Sequence, residues 1–180
     1  IKPTFGRVST HGAFPLAYTL DHIGPITRRV EDAAILLQTI AGFDPKDNFS
    51  MRSAPDDYLG KLQSGVKGLR IGIDETYCAT DAHPEVTSAV VSAASLLEQL
   101  GAKIVPVSMI DVLEVCPHWG AVVAAEAAVA HQDMFPDQAD DYGPVFRATL
   151  EAAASISGAD YSKARLAAAK TKMIFDTLLT

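Results

Sequence analysis

Two short apolar runs on either side of one amphipathic helix constrain this chain more than any other feature. Residues 69–74 read LRIGID and residues 102–108 read AKIVPVS. Between them, from 84 to 100, Val86, Ala89, Val90, Ala93, Leu97 and Leu100 recur every three or four positions. Short runs rich in β-branched residues read as strands, and the spacing between them reads as one face of a helix. Pro84 suits a first helical turn, where its missing N–H costs nothing. Gly101 stands where the helix must close. A strand, a helix and a strand in this order make a βαβ unit with parallel strands and a right-handed crossover. The expected fold is therefore α/β: a βαβ unit on part of a mixed sheet flanked by helices.

The flanking segments extend this pattern. Residues 1–9 read as the end of a strand or a loop, disturbed by Pro3 and Gly6. A helix is predicted over 29–41, with Val30, Ala33, Ala34, Leu37 and Ile40 on one face and Gly42 just past its end. Glu31 and Asp32 lie in its first turn, where the helix dipole favours negative charge. Residues 43–65 carry turn chemistry, Asp44-Pro45, Asp47-Asn48 and Ala54-Pro55, and read as a long surface excursion with a short helical turn over 57–62. The last third is predicted as three helices, over 119–131, 142–153 and 159–179. Alanine is dense there, which favours helix and allows close packing. With 180 residues, the chain is long enough for one domain with a core and short for two, so one domain is expected.

Charge and composition remove several function classes. The formal net charge is -7 and the fifteen basic residues are scattered, which argues against a phosphate-binding surface and hence against a nucleic-acid partner. No run approaches the roughly 20 apolar residues of a membrane span, so no membrane partner is expected. Cys78 and Cys116 read as two reduced thiols, and the compartment expected from that is the cytoplasm.

The chemistry-bearing side chains are few. Cys78, Asp81, His83 and Glu85 share one loop after a strand, but thiol and carboxylate make a mixed ligand set. A cap on the following helix by His83 or Asp81 explains the loop better. Cys116 and His118 are two apart and do not share a helix face, so Pro117 between them reads as a helix entry. His11 follows Ser9 and Thr10, yet triad members come from separate segments. Glu126 lies inside the apolar run WGAVVAAEAAVAH, where a carboxylate either faces solvent or is paired toward a pocket; both readings stand. GxSxG, Walker A, GxGxxG and HExxH patterns are absent. Neither metal nor organic cofactor is expected. A chain with this much α/β order and no nucleophile signal is a binding domain or a piece of an enzyme.

One set of fragments is specific in its order and spacing. Residues 2–9 read KPTFGRVS, residues 19–28 read TLDHIGPITR and residues 30–34 read VEDAA; LRIGID, GAKIVPV, the W…E…H run and DYGPVFR…ADYSKA follow. This series resembles the amidase signature family of amide hydrolases along nearly the whole chain. The resemblance implies a partial amidase-signature fold. It also implies hydrolysis of carboxamides by a serine nucleophile, bridged through a second serine with a cis peptide bond to a lysine base, with an acyl-enzyme intermediate. Those three residues belong to family segments upstream of Ile1, so no catalytic residue is expected in this chain, and Lys2 is not the catalytic lysine. Two departures are visible: Arg29 stands where the family often has a Thr or Ser cap, leaving Thr27 to cap, and Thr19 stands where Ser is common.

The resemblance further implies that Arg7, Asp21, Gly24, Pro25 and Arg28 buttress the reaction centre, with Asp21 and Arg7 orienting backbone around the serines. Trp119, Glu126 and His131 are the candidates for a substrate-pocket wall. The chain is then expected to be an inactive part of an amidase whose partner is a small amide substrate. Unpaired strand edges lead to an expected homodimer or swapped assembly. Two alternatives accompany this: part of the A subunit of the glutamine-dependent tRNA amidotransferase, or a non-enzymatic α/β binding or assembly module.

Overall fold

The computed structural model describes residues 1–179, with Val112 by its backbone only. It is helix-rich, with a small parallel sheet, and its residues gather into two compact units.

One unit comprises Leu62–Asp111 and Thr171–Thr180. It contains the βαβ motif: β1 (Arg70–Ile73), α2 (Glu75–Ala79), α3 (Pro84–Gln99) and β2 (Lys103–Pro106), numbered with α1 below as the first helix of the chain. The strands pair parallel in the register Arg70↔Lys103 to Ile73↔Pro106, as the alternation of apolar runs predicts. His83 caps α3: its Nδ1 accepts from the Glu85 N–H at 3.3 Å, and Pro84 fills the first turn. Gly101, at φ +96°, ends the helix in a conformation that costs a residue with a Cβ roughly 1–2 kcal/mol. Asp74 joins the ends of the two strands. It accepts from Tyr77 N–H at 2.9 Å as the cap of α2 and from Met109 N–H at 2.6 Å just beyond β2. The buried residue of α3 is Ala94, not the predicted stripe, of which Val86 and Leu100 are more than half exposed. A two-stranded sheet offers too narrow a face to cover a whole helical stripe.

The other unit comprises Ile1–Lys61 and Val112–Lys170. Its helices are α1 (Val30–Ile40), α4 (Val112–Ala130), α5 (Pro144–Ala153) and the first part of α6 (Gly158–Leu178), with a 3-10 turn at Ala139–Asp141. The core is built from Val8, Ala17, Ala33, Ala34, Leu37, Val122, Ala124, Ala127, Leu150 and Ala164, so small side chains let the helices approach closely.

Here the structure departs from the sequence reading in several places. Of the two readings for residues 1–9, the loop holds and the strand end does not; a single antiparallel bridge joins Val8 to Ala41. Thr27 does not cap α1: its hydroxyl donates to the Arg29 carbonyl at 2.7 Å, and Arg29 at the cap position makes no side-chain bond to the helix. Val30 and Ile40 leave the buried face of α1, which is Ala33, Ala34 and Leu37. The helix ends at Ala41 in extended conformation. Helix α4 begins at Val112 rather than Trp119, so Pro117 lies inside it and is not its entry. Pro117 there offers no N–H to the carbonyl four residues before it and crowds that carbonyl, a cost that α4 carries. Residues 58–63 form hydrogen-bonded turns rather than a helix, with the Asp57 carboxylate accepting from the Leu59 and Gly60 N–H groups. Among the described residues no helix is long and apolar enough to cross a membrane.

Candidate functional site

The segment from Ser9 to Ile23 has no regular structure, so its backbone N–H groups need partners from elsewhere. Three carboxylates supply them. Asp47, buried, takes the Thr10 N–H at 2.8 Å and the Thr10 hydroxyl at 3.1 Å on one oxygen, and the Phe49 N–H at 2.8 Å on the other. Asp21 takes the Leu16 and Ala17 N–H groups on one oxygen at 2.9 and 3.1 Å. Glu126, 7% exposed, takes the Thr19 N–H at 2.8 Å on Oε2, and the Thr19 and Tyr161 hydroxyls at 2.6 and 2.7 Å on Oε1. Asp47 and Glu126 thus grip one threonine each, by both N–H and O–H.

A guanidinium completes the second grip. Arg165 Nη1 donates to Thr19 Oγ1 at 2.7 Å. Thr19 Oγ1 accepts that bond, so its own proton is directed to Glu126. Tyr161 and Arg165 stand four apart on α6 and so share a face of that helix. The Tyr161 phenol is pushed above its ordinary value, first by its hydrogen bond to Glu126 and then by burial and the Glu126 charge, against a smaller opposing effect of Arg165. The pair is the reason a carboxylate survives inside an apolar helix: three donors and a nearby cation replace the water it loses.

These grips frame two openings that share Tyr18. The larger is a cleft of about 460 Å³ lined by residues 10–16 and 46–49 together with Tyr18, Asp21, His22 and Ile23. The smaller, about 360 Å³, is lined by Tyr18, Thr19, Ala125, Glu126, Val129 and Tyr161. Phe14, on the cleft rim, also touches an aromatic cluster. The His131 ring lies 5.0 Å from those of Phe14 and Phe146 and 5.3 Å from that of Tyr142, and its Nδ1 is 2.8 Å from the Tyr142 hydroxyl.

The residues singled out from the sequence occupy different places. Asp21 lines the cleft. Arg7 binds the Ser53 carbonyl at 2.9 Å and its hydroxyl at 3.3 Å, and so ties down the segment after α1. Gly24 and Pro25 pack on the opening residues: a Cβ at Gly24 would meet the Ile1 carbonyl oxygen at 2.1 Å, and the Ile1 amino group donates to the Pro25 carbonyl at 2.9 Å. Arg28 is exposed. Of the three pocket candidates, Glu126 lines the smaller opening, His131 sits in the aromatic cluster and Trp119 is 60% exposed. Thr10, Asp47, Tyr161 and Arg165 were not singled out. The buried Glu126 inside an apolar run was the available signal for Tyr161 and Arg165; the turn dipeptide Asp47-Asn48 gave none for Thr10.

The acid clamps have a pH signature. For Asp47, burial opposes ionisation, but the bonds from Thr10 and Phe49 together outweigh it and hold the carboxyl below its ordinary 3.8. Asp44 is lowered too, first by the Lys46 N–H and then by the Ser9 hydroxyl, 2.7 Å away. The unfolded chain therefore takes up these protons before the folded one. The stabilisation is complete above pH about 4 and is lost as pH falls through the lowered values. Amide exchange followed from pH 5 to pH 2 should show Thr10 and Phe49 losing protection below pH about 4, and the Asp47→Asn variant should lose most of that acid response.

Comparison with known proteins gives the family and the fold. A relative from Pseudomonas putida described as an amidase is 38% identical over 164 residues, 91% of this chain and 35% of its own length. The A subunit of glutamyl-tRNA(Gln) amidotransferase from Akkermansia muciniphila is 45% identical over 130 residues, 72% of this chain and 26% of its own length. Among solved structures, an inhibitor-bound vestigial protein complex linked to the origins of an s-triazine catabolic enzyme superposes with a TM-score of 0.88 at 26% identity, covering 98% of this chain and 38% of that one. The amidotransferase A subunit from Thermotoga maritima gives 0.81 at 30% identity, covering 99% and 39%. The chain spans about a third or less of the length of the curated relatives quoted. Matched from residue 1 to residue 174 by the family model for amidases, it belongs to the amidase family.

Proposed function

We propose that this chain is the part of a carboxamide hydrolase that shapes the substrate cleft, while the nucleophile comes from sequence upstream of it. One observation carries the reading: the described residues form an open cleft of about 460 Å³ whose walls mix Phe14, Leu16, Tyr18 and Phe49 with His11, Asp21, His22 and Lys46. A concavity in which aromatic and apolar side chains meet polar groups with fixed partners is where small molecules bind. On this reading the serine, the bridging serine and the neutral lysine base are supplied by the preceding segment. The protein then forms an acyl-enzyme, releases ammonia or an amine, and adds water. The residues here orient the amide and hold the cleft backbone still. Asp21 does so by fixing the Leu16 and Ala17 N–H groups, and Arg7 by holding Ser53.

The test is direct. The purified 180-residue chain should release no ammonia from aliphatic or aryl carboxamides above background, and a protein carrying the same residues behind a family serine segment should do so. Enzyme-like hydrolysis by the chain alone, abolished by replacing one of its own serines, would overturn the reading.

The 45% identity to an amidotransferase A subunit supports a second reading, in which glutamine is the amide and the released ammonia passes to another subunit. Glutamine assayed beside simple aryl and aliphatic amides separates the two.

A further inference from the structure

The carboxylate of Glu126 has three donors aimed at it, and two of the three belong to a single residue, Thr19. Thr19 itself does not line the larger cleft, but Tyr18 on one side of it and Asp21, His22 and Ile23 on the other do. The carboxylate therefore grips the backbone at a point between the cleft-lining residues. It reaches that point from a helix far away in sequence and is backed by Tyr161 and Arg165 on another. A group bound in this way has little acceptor capacity left for a ligand. The Arg165 guanidinium, acting on the same hydroxyl, leaves little net negative charge to attract one.

We propose that Glu126 is a positioning residue: through Thr19 it fixes the Tyr18–Asp21 wall of the cleft, and it does not itself meet substrate. The proposal rests on the amidase reading for its kinetic consequence but not for its structural one. A glutamine at 126 cannot reproduce the grip. One of its two terminal atoms is a donor, so at least one of the three incoming N–H or O–H groups loses its acceptor. An aspartate is too short to span from α4 to both Thr19 atoms. A serine at 19 keeps both the N–H and the hydroxyl, and a valine keeps only the N–H.

Two measurements decide the matter. In the 180-residue chain, amide resonances compared between wild type and Glu126→Gln should move at Tyr18, Asp21 and His22 as well as at Thr19, and Thr19 should exchange its amide proton at least ten-fold faster. Thr19→Val should shift the same cleft residues and Thr19→Ser should leave them in place. Shifts confined to α4 and α6 would overturn the proposal, and Thr19→Val provides this readout should Glu126→Gln fail to fold. In the longer amidase, Glu126→Gln and Thr19→Val should each lower kcat by about 10- to 100-fold, since displacement of a positioned wall by an ångström has that scale. KM should change less than three-fold, and Thr19→Ser should restore kcat to within about three-fold of wild type. The double variant should be no worse than the worse single one, because both remove the same grip. Unchanged kcat in both single variants would overturn the positioning role. A wild-type protein inactive on every amide would instead overturn the amidase reading, leaving the resonance shifts to judge the grip.

Discussion

Replacing Glu126 with alanine is expected to destabilise the unit that contains it by about 2–4 kcal/mol. The mechanism is the stranding of partners rather than the loss of packing. The Thr19 N–H, the Thr19 hydroxyl and the Tyr161 hydroxyl all point at the missing carboxylate, at 2.6 to 2.8 Å. Each buried donor left without an acceptor costs roughly 1–3 kcal/mol, reduced where water can reach it. The adjacent opening of about 360 Å³ lets some water in, which is why the total is set below the simple sum. The Arg165 guanidinium keeps its bond to Thr19 but loses the anion that compensates it, an effect of the same sign. Trp119, the only tryptophan, lies on the same helix as Glu126, so a urea titration followed by its fluorescence reports on this unit. The midpoint should fall with little change in slope. A loss below about 0.5 kcal/mol, the range of ordinary surface substitutions, would show that Glu126 is not structurally coupled to its partners.

The second large effect is expected at Gly6. Its φ is +74°, which a residue with a Cβ adopts at a cost of roughly 1–2 kcal/mol. Conformation is the smaller part. A Cβ there would stand 2.2 Å from the Phe49 carbonyl oxygen and 3.4 Å from Met51 Cγ. That oxygen belongs to backbone and cannot rotate away. The Met51 N–H also donates to the Gly6 carbonyl at 2.8 Å, so the two strands of chain are tied at the contact. Gly6→Ala must therefore lift the segment around residues 47–51 off residues 6–10, taking the Asp47–Thr10 grip with it. We expect about 3 kcal/mol or more for Gly6→Ala by the same titration. Gly12 supplies the comparison. It has φ +86° and no atom within 4 Å of a Cβ, so Gly12→Ala should cost only the conformational part, roughly 1–2 kcal/mol. Equal losses in the two variants would mean that the close approach to Phe49 contributes nothing.

The cleft is thus assembled from two stretches of irregular chain, 10–23 and 46–49, and its rigidity comes from carboxylates rather than from secondary structure. Asp47, Asp21 and Glu126 each convert backbone donors into fixed points. At Asp47, whose carboxyl is held below its ordinary value, this arrangement couples the cleft to ionisation. It also gives single substitutions outside the cleft, such as those at Glu126 or Gly6, a route to its wall.

Sequence alone determined the elements whose signals are local. The parallel β1–β2 pair and α3 follow from apolar spacing, with Pro84 and His83 at one end of the helix and Gly101 at the other; these depend on backbone and near-neighbour chemistry that a short window contains. The order of fragments from KPTFGRVS to ADYSKA placed the chain in its family for the same reason, since each fragment is read in place. Tertiary structure alone decided which way Glu126 faces, and that Thr19, Tyr161 and Arg165 meet it from positions 107, 35 and, through Thr19, 146 residues distant from their partners. It also decided that Asp47 is buried on Thr10. Hydrogen bonds across such separations depend on how helices pack, and no periodicity in the chain encodes them. The physical division is one of range: propensity and spacing act over a turn or a strand, whereas burial of a charge is settled only when distant donors arrive to replace its water.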